Sequence, residues 1–191
     1  MSTDKSKRLI VFTAPSGSGK STVVRHLMNK YDSLGFSVSA TTRERREGEV
    51  NGKHYFFLSP DTFRSWIEEE DFCEWEEVYG GQYYGTPKFE IDRLFDQGKH
   101  VVFDIDVKGA LNIQKAFPEI TTTIFVKVPD TNTLIERLKA RATESEQSLQ
   151  KRIQRFEEEM TYADRFDHIL VNDDLETTLI NSERLLERII G

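Results

Sequence analysis

Eight residues, Ala14-Pro15-Ser16-Gly17-Ser18-Gly19-Lys20-Ser21, constrain the fold of this 191-residue chain more than any other segment. They follow a continuous apolar run, Leu9-Ile10-Val11-Phe12, within a stretch from Arg8 to Thr13 that reads as a buried strand. After them, Ser21 to Tyr31 carries apolar side chains at Val23, Val24, Leu27, Met28 and Tyr31, the spacing of a helix. A glycine-rich turn between a strand and a helix is the setting in which this pattern reads as a phosphate-binding loop. Successive backbone N–H groups in such a turn form an anion-binding concavity. The helix that follows adds unpaired N–H groups and the positive end of its dipole. The loop, extended to Thr22, is thus a candidate ATP-binding segment, with Lys20 reaching the β- and γ-phosphates and the Ser21 hydroxyl on Mg²⁺. Ala14 stands where the pattern usually has its first glycine. The competing reading is a tight strand–helix turn with a solvated lysine.

Three more apolar runs punctuate the chain. Val101-Val102-Phe103 ends in Asp104-Ile105-Asp106, Thr123 to Val128 stops at Pro129, and His168 to Val171 stops at Asn172-Asp173-Asp174. Helical stretches separate them, the last from Leu175 to Ile190 behind aspartate caps. Strands alternating with helices imply an α/β fold, a parallel sheet covered on both faces. Asp104 is placed like the acidic residue of a neighbouring strand that holds Mg²⁺ or its waters. Asp106 follows at strand period on the same side. The competing reading of the pair is an acidic strand end that caps a helix over Val107 to Phe117. Two segments interrupt the rhythm and look like insertions on the sheet. One is rich in Thr, Arg, Gly and Tyr, with strand-like pieces such as His54 to Leu58 and a helix starting at Ser59-Pro60. The other, 131–160, is charged and helical, with Thr143 and Glu146 as a capping pair.

Composition narrows the function. With a net charge of −7 there is no broad basic field for a nucleic-acid polymer, so any bound polyanion must meet a local cluster of cations. No apolar run near the start is long enough for a signal-peptide core or a membrane span. A single cysteine, Cys73, excludes an internal disulfide and suits a reducing cytoplasm. The histidines (His26, His54, His100, His168) lack metal-ligand spacing and read as surface or packing residues. Asp106-Val107-Lys108-Gly109 and Asn29-Lys30-Tyr31-Asp32 imitate a GTPase signature, but in reversed order, with the second run in the last turn of the first helix.

The required cations stand at Arg43, Arg45 and Arg46, three arginines in four positions. Arginine forks match phosphate bidentately, and the tyrosines nearby (Tyr55, Tyr83, Tyr84) offer hydroxyls. Here the chain resembles the guanylate kinases. Thr41-Thr42-Arg43 through Gly48-Glu49, Tyr83-Tyr84-Gly85-Thr86, Asp104-Ile105-Asp106 with Gly109, and Val171-Asn172-Asp173-Asp174 all recur in family order, over about residues 8–188.

The resemblance implies a P-loop nucleoside monophosphate kinase that phosphorylates GMP, or dGMP, with ATP as donor and Mg²⁺ as cofactor. It implies a core of 1–36, 89–130 and 161–191, a GMP-binding lobe over 37–88 and a lid over 131–160. Arg43 and Arg46, with Tyr55 and Tyr84, would hold the GMP phosphate. Ser39, Glu74 and Thr86 would read guanine, with Asp104 and Asp106 beside the acceptor. Arg137, Arg141 and Arg152 would reach the transferring group together with Lys20 and Arg43, and Asn172 would sit near the ATP base or the lid. A monomer or small homo-oligomer is expected. The span from Glu74 to Tyr84 looks one residue longer than in several relatives, so a bulge near Gly80-Gly81 is expected. Two rivals stand beside this reading: a non-catalytic module of the same fold, and a kinase of another acceptor.

Overall fold

The computed structural model describes residues 6–79, 81–140 and 146–191, with side chains at all but 79, 137–140, 146–149 and 151 of these. The elements run β1 (Leu9–Thr13), α1 (Lys20–Lys30), β2 (Leu34–Phe36), β3 (Ala40–Thr41), β4 (Phe56–Phe57), α2 (Pro60–Glu68), β5 (Phe72–Tyr79) and β6 (Gln82–Pro87). Then follow α3 (Lys88–Asp96), β7 (His100–Asp104), α4 (Val107–Ala116), β8 (Thr121–Lys127), α5 (Thr131–Ala140), α6 (Glu146–Met160), β9 (His168–Val171) and α7 (Leu175–Ile190).

The apolar runs become a five-stranded parallel sheet in the order β2-β7-β1-β8-β9. Such runs are apolar at every position because alternate side chains enter opposite faces, both covered by helices. Leu9, Val11, Val101, Phe103 and Phe125 pack with Ile91 and Leu94 of α3 and Ile113 of α4. Ile10, Phe12, Val102, Ile124 and Val126 face Val23 and Leu27 of α1 and Leu185 and Leu186 of α7. No helix among the described residues is long and apolar enough to cross a membrane.

A second sheet, in the order β4-β3-β6-β5, stands apart from the first. It has its own small core, in which Phe63 of α2 stacks on Phe72 at 4.4 Å between ring centroids and Tyr83 packs against Phe63. The strand-like stretch His54 to Leu58 contracts to Phe56–Phe57, since His54 accepts from the Val50 N–H and Tyr55 makes only an isolated bridge to Asn51. The β5–β6 pairing shifts register between Glu77 and Tyr79, ahead of Gly81 at φ +87°, so the irregularity expected near Gly80-Gly81 falls at this turn. The charged stretch resolves into α5 and α6, while the Thr143–Glu146 capping pair lies outside the described residues.

Ser59 caps α2, its Oγ accepting from the Thr62 N–H at 3.1 Å, with Pro60 in the first turn. Ser59→Ala is expected to cost about 1 kcal/mol, read as a fall of roughly 3 °C in Tm with activity per folded molecule unchanged.

Candidate functional site

The phosphate-binding turn needs two left-handed residues and has glycine at both, Gly17 at φ +91° and Gly19 at φ +86°. Gly19 is also the residue before α1, which therefore lacks a side-chain cap, and no acidic residue lies in the first turn. The N–H groups there are not neutralised by the chain's own carboxylates, which leaves the helix end suited to an anion.

Parallel pairing sets Phe12 beside Asp104, so the ends of β1 and β7 open side by side. Lys20 Nζ lies 2.5 Å from Asp104 Oδ1 and donates to the Ile105 carbonyl at 2.8 Å. Ser21 Oγ donates to Asp104 Oδ2 at 2.9 Å. Asp106 has a different role: its Oδ1 accepts from the N–H groups of Lys108 (2.9 Å) and Gly109 (3.0 Å), capping α4. The helix-capping alternative thus describes Asp106, although it also borders the cleft.

That cleft, of about 510 Å³, is lined by the loop from Ala14 to Thr22 with the adjoining Asp104 and Asp106, and by Ser39, Tyr55, Glu74 and Tyr84 of the second sheet's segment. Glu74, on β5, accepts from the Thr86 hydroxyl of β6 at 2.7 Å. Burial pushes its carboxyl up to about 7. The Thr86 hydrogen bond opposes the rise, and the nearby charges of Asp106 and Glu76 add to it. Gly109 of α4 gives this carboxylate room, since a Cβ there would stand 3.0 Å from Glu74 Oε2.

Arg43 follows β3 and Arg46 lies in the turn beyond it. Arg43 grips Glu49 with both arms of its fork, Nη1 to Oε2 at 2.7 Å and Nη2 to Oε1 at 2.6 Å. The Arg46 N–H also donates to Glu49, at 2.7 Å. The guanidinium lies 5.0 Å from the Tyr55 ring centroid, and Tyr55 meets Tyr84 edge-on at 6.0 Å. The Arg43 fork holds Glu49 down to about 2, with the Arg46 N–H assisting. Arg43 itself shifts upward, chiefly through the same pair.

Of the arginines expected on the lid, Arg152 borders an adjoining cleft with Asp106, Lys108 and Glu158. The Arg137 side chain and all of Arg141 lie outside the described residues. Asn172 is buried beneath the phosphate-binding loop, its Nδ2 donating to the Ser18 carbonyl at 2.7 Å. Sequence reasoning missed three residues. Glu49 could have been suspected as an acid closing a basic turn. Arg155 and Glu159, paired at 2.7 Å on α6, border the main cleft, and their signal was a spacing of four on one helical face. Burial raises Cys73 to about 12, with the neighbouring Glu74 charge adding, so it remains a thiol and supplies no nucleophile.

Fold and site together define a nucleotide-binding protein of the P-loop nucleoside monophosphate kinase class. A model of the guanylate kinase family matches residues 6–189. The guanylate kinase of Chlorobium chlorochromatii is 43% identical over 191 residues, 100% of each chain. That of Bacteroides thetaiotaomicron is 43% identical over 184 residues, 96% of this chain and 90% of the other. Among solved structures, guanylate kinase from Anaplasma phagocytophilum matches with a TM-score of 0.72 at 26% identity, over 95% of this chain and 85% of that one. The chain belongs to the guanylate kinase family.

Proposed function

We propose that the protein transfers the γ-phosphoryl group of ATP to GMP, with the phosphate loop holding the donor and the wall of Ser39, Tyr55, Glu74 and Tyr84 holding the acceptor. The observation that carries this reading is the shared cleft: a lysine–serine–aspartate cluster faces a deep carboxylate across about 510 Å³. ADP release measured with GMP, dGMP, AMP, UMP and no acceptor tests it. Turnover confined to the guanine nucleotides supports the reading, and turnover without acceptor or with AMP in preference overturns it.

The GMP phosphate, with a second pKa of about 6, is mostly a dianion at neutral pH, so its attacking oxygen needs no general base. The obstacle is bringing two polyanions into line. Lys20 binds the donor's terminal phosphates, Arg43 and Arg46 hold the acceptor phosphate, and the tyrosine hydroxyls of Tyr55 and Tyr84 orient it. Arg137, Arg141 and Arg152 complete the cationic surround from the lid. Glu74 accepts from guanine N1–H and N2–H while Thr86 steadies its other lone pairs, and Ser39 flanks the base. Asp104 and the Ser21 hydroxyl are hard oxygen donors 2.9 Å apart beside the loop, a set that fits Mg²⁺ shared with substrate phosphates. When bound there, Mg²⁺ would neutralise charge on the β- and γ-oxygens. The lobe over 37–88 and the lid over 131–160 would close over the core segments 1–36, 89–130 and 161–191 to exclude water. Scattering profiles that are identical with and without both nucleotides would refute closure. A cytoplasmic place of work suits the single, protonated thiol.

Glu49 aims the Arg43 fork, so it acts on acceptor placement rather than on chemistry. Glu49→Gln is expected to raise KM for GMP by on the order of tenfold with kcat and KM for ATP little changed. Steady-state kinetics with each substrate varied in turn would check it.

A further inference from the structure

Asn172 stands 154 positions from Ser18 in the chain, yet the two residues are hydrogen-bonded. Its backbone N–H donates to the Lys127 carbonyl at 2.7 Å, which continues the β8–β9 pairing one residue beyond the strand. Thr178 of α7 donates its hydroxyl to the Asp174 carbonyl at 2.6 Å, with the carbonyl of Val171, the residue before Asn172, 3.3 Å away. The side chain is therefore mounted on a rigid junction of two strands and a helix. It is 4% exposed and lies behind the phosphate loop, outside the residues that line the cleft.

A trans peptide points its C=O and its N–H in opposite directions. With the Ser18 carbonyl turned back onto Asn172 Nδ2, the N–H of the same peptide, that of Gly19, turns toward the cleft. Gly19 is doubly required: it holds φ +86°, and a Cβ on it would fall 2.2 Å from Asn172 Nδ2. We infer that Asn172 is a positioning residue that fixes the Ser18–Gly19 peptide with its N–H directed at the phosphates of ATP. Were that peptide to turn over, a carbonyl oxygen would face a polyanion where a donor had stood, and attraction would become repulsion. Because the strut touches only the donor side, its loss separates ATP from GMP. The inference rests on the loop being the ATP phosphate site.

The test compares Asn172→Asp, Asn172→Ala and Lys20→Met with the unaltered protein, by calorimetric titration of ATP and of GMP and by steady-state kinetics. Asn172→Asp preserves volume but presents only acceptors to the Ser18 carbonyl. It is expected to weaken ATP binding and raise KM for ATP at least about tenfold, and no less than Asn172→Ala does. GMP affinity, which also reports folding, is expected to stay within about twofold, since contacts outside the altered network are additive. Unchanged ATP affinity in Asn172→Asp overturns the inference. So does an equal loss of ATP and GMP affinity in both variants, which would mark Asn172 as packing alone. Lys20→Met separates the two levels of the argument. If it retains full turnover, the loop is not the donor site; if it loses turnover while the Asn172 variants bind ATP normally, only the strut fails.

Discussion

Replacing Lys20 by methionine is expected to lower kcat/KM for ATP by on the order of 10³-fold while leaving the thermal transition close to that of the unaltered protein. A factor of that size corresponds to about 4 kcal/mol of transition-state stabilisation. It is plausible for one cation because charge migrates from the γ-phosphoryl toward the β-phosphate as the bond breaks. Asp104 at 2.5 Å and the Ile105 carbonyl at 2.8 Å hold Lys20 beside the glycine-rich loop, where the proposed transfer would develop that charge. Methionine keeps the length of the stem and removes the charge, and it leaves Asp104 with the Ser21 hydroxyl as a remaining partner. The stability term is small because the site is open on the cleft side, and cations there serve a ligand more than the fold. Single-turnover phosphoryl transfer, compared with the circular-dichroism melt, checks both halves. Turnover within about threefold of the unaltered enzyme would remove Lys20 from the transition state.

The second large effect concerns Glu74. Glu74→Ala is expected to reduce kcat/KM for GMP by on the order of 10³-fold or more and to erase most of the preference for GMP over AMP. A carboxylate that receives guanine N1–H and N2–H finds no such pair of donors on adenine, and in this cleft it would stand buried and unpaired against the wrong base. Its raised pKa adds a pH signature. With a folded value of about 7, the carboxyl is largely protonated below neutrality and cannot accept both guanine donors. kcat/KM for GMP is therefore expected to fall by about tenfold per unit as pH drops well below 7, while ATP binding is unaffected by this group. Stability moves the other way. The native state binds a proton that the unfolded chain releases near the ordinary glutamate value of 4.5, so stability contributed by this group falls as pH rises from that value toward 7. A Glu74→Gln variant removes the stability trend and leaves in the kinetic profile only the fall below about pH 6 that comes from the GMP phosphate itself. A flat profile for GMP between pH 5.5 and 8 in the unaltered enzyme would count against the carboxylate as the guanine reader.

The acceptor wall shows how little of a site can be read along one stretch of chain. Glu74 lies in a run with Glu76 and Glu77, and spacing alone does not distinguish them. Three contacts from other segments do: the Thr86 hydroxyl from the paired strand, the absence of a side chain at Gly109, and burial in the cleft. Asn112 meanwhile takes Glu76 at 3.0 Å, and Glu77 accepts from the Gly81 N–H at 3.0 Å, so the neighbours have other employment. The sequence proposes Arg43 as a phosphate-binding arginine but does not show its aim, because the carboxylate that grips it stands six residues on across a turn. The two aspartates after β7 divide for a similar reason. Asp104 faces Lys20 and Ser21 of the neighbouring strand's loop, whereas Asp106 reaches the first N–H groups of α4.

By itself the sequence determined the features that depend on near neighbours. These are the buried parallel strands, the glycine turn with its left-handed residues, the uncapped start of α1, and the Ser59 and Asp174 caps. Each follows from steric limits on a few consecutive residues or from a period in side-chain polarity. Only the tertiary structure decided which carboxylate is desolvated, where the Arg43 fork points, and that Asn172 braces the loop from beneath. Desolvation and hydrogen-bond direction depend on atoms brought from distant parts of the chain, and their effect is felt only within a few ångströms, so no local pattern records them.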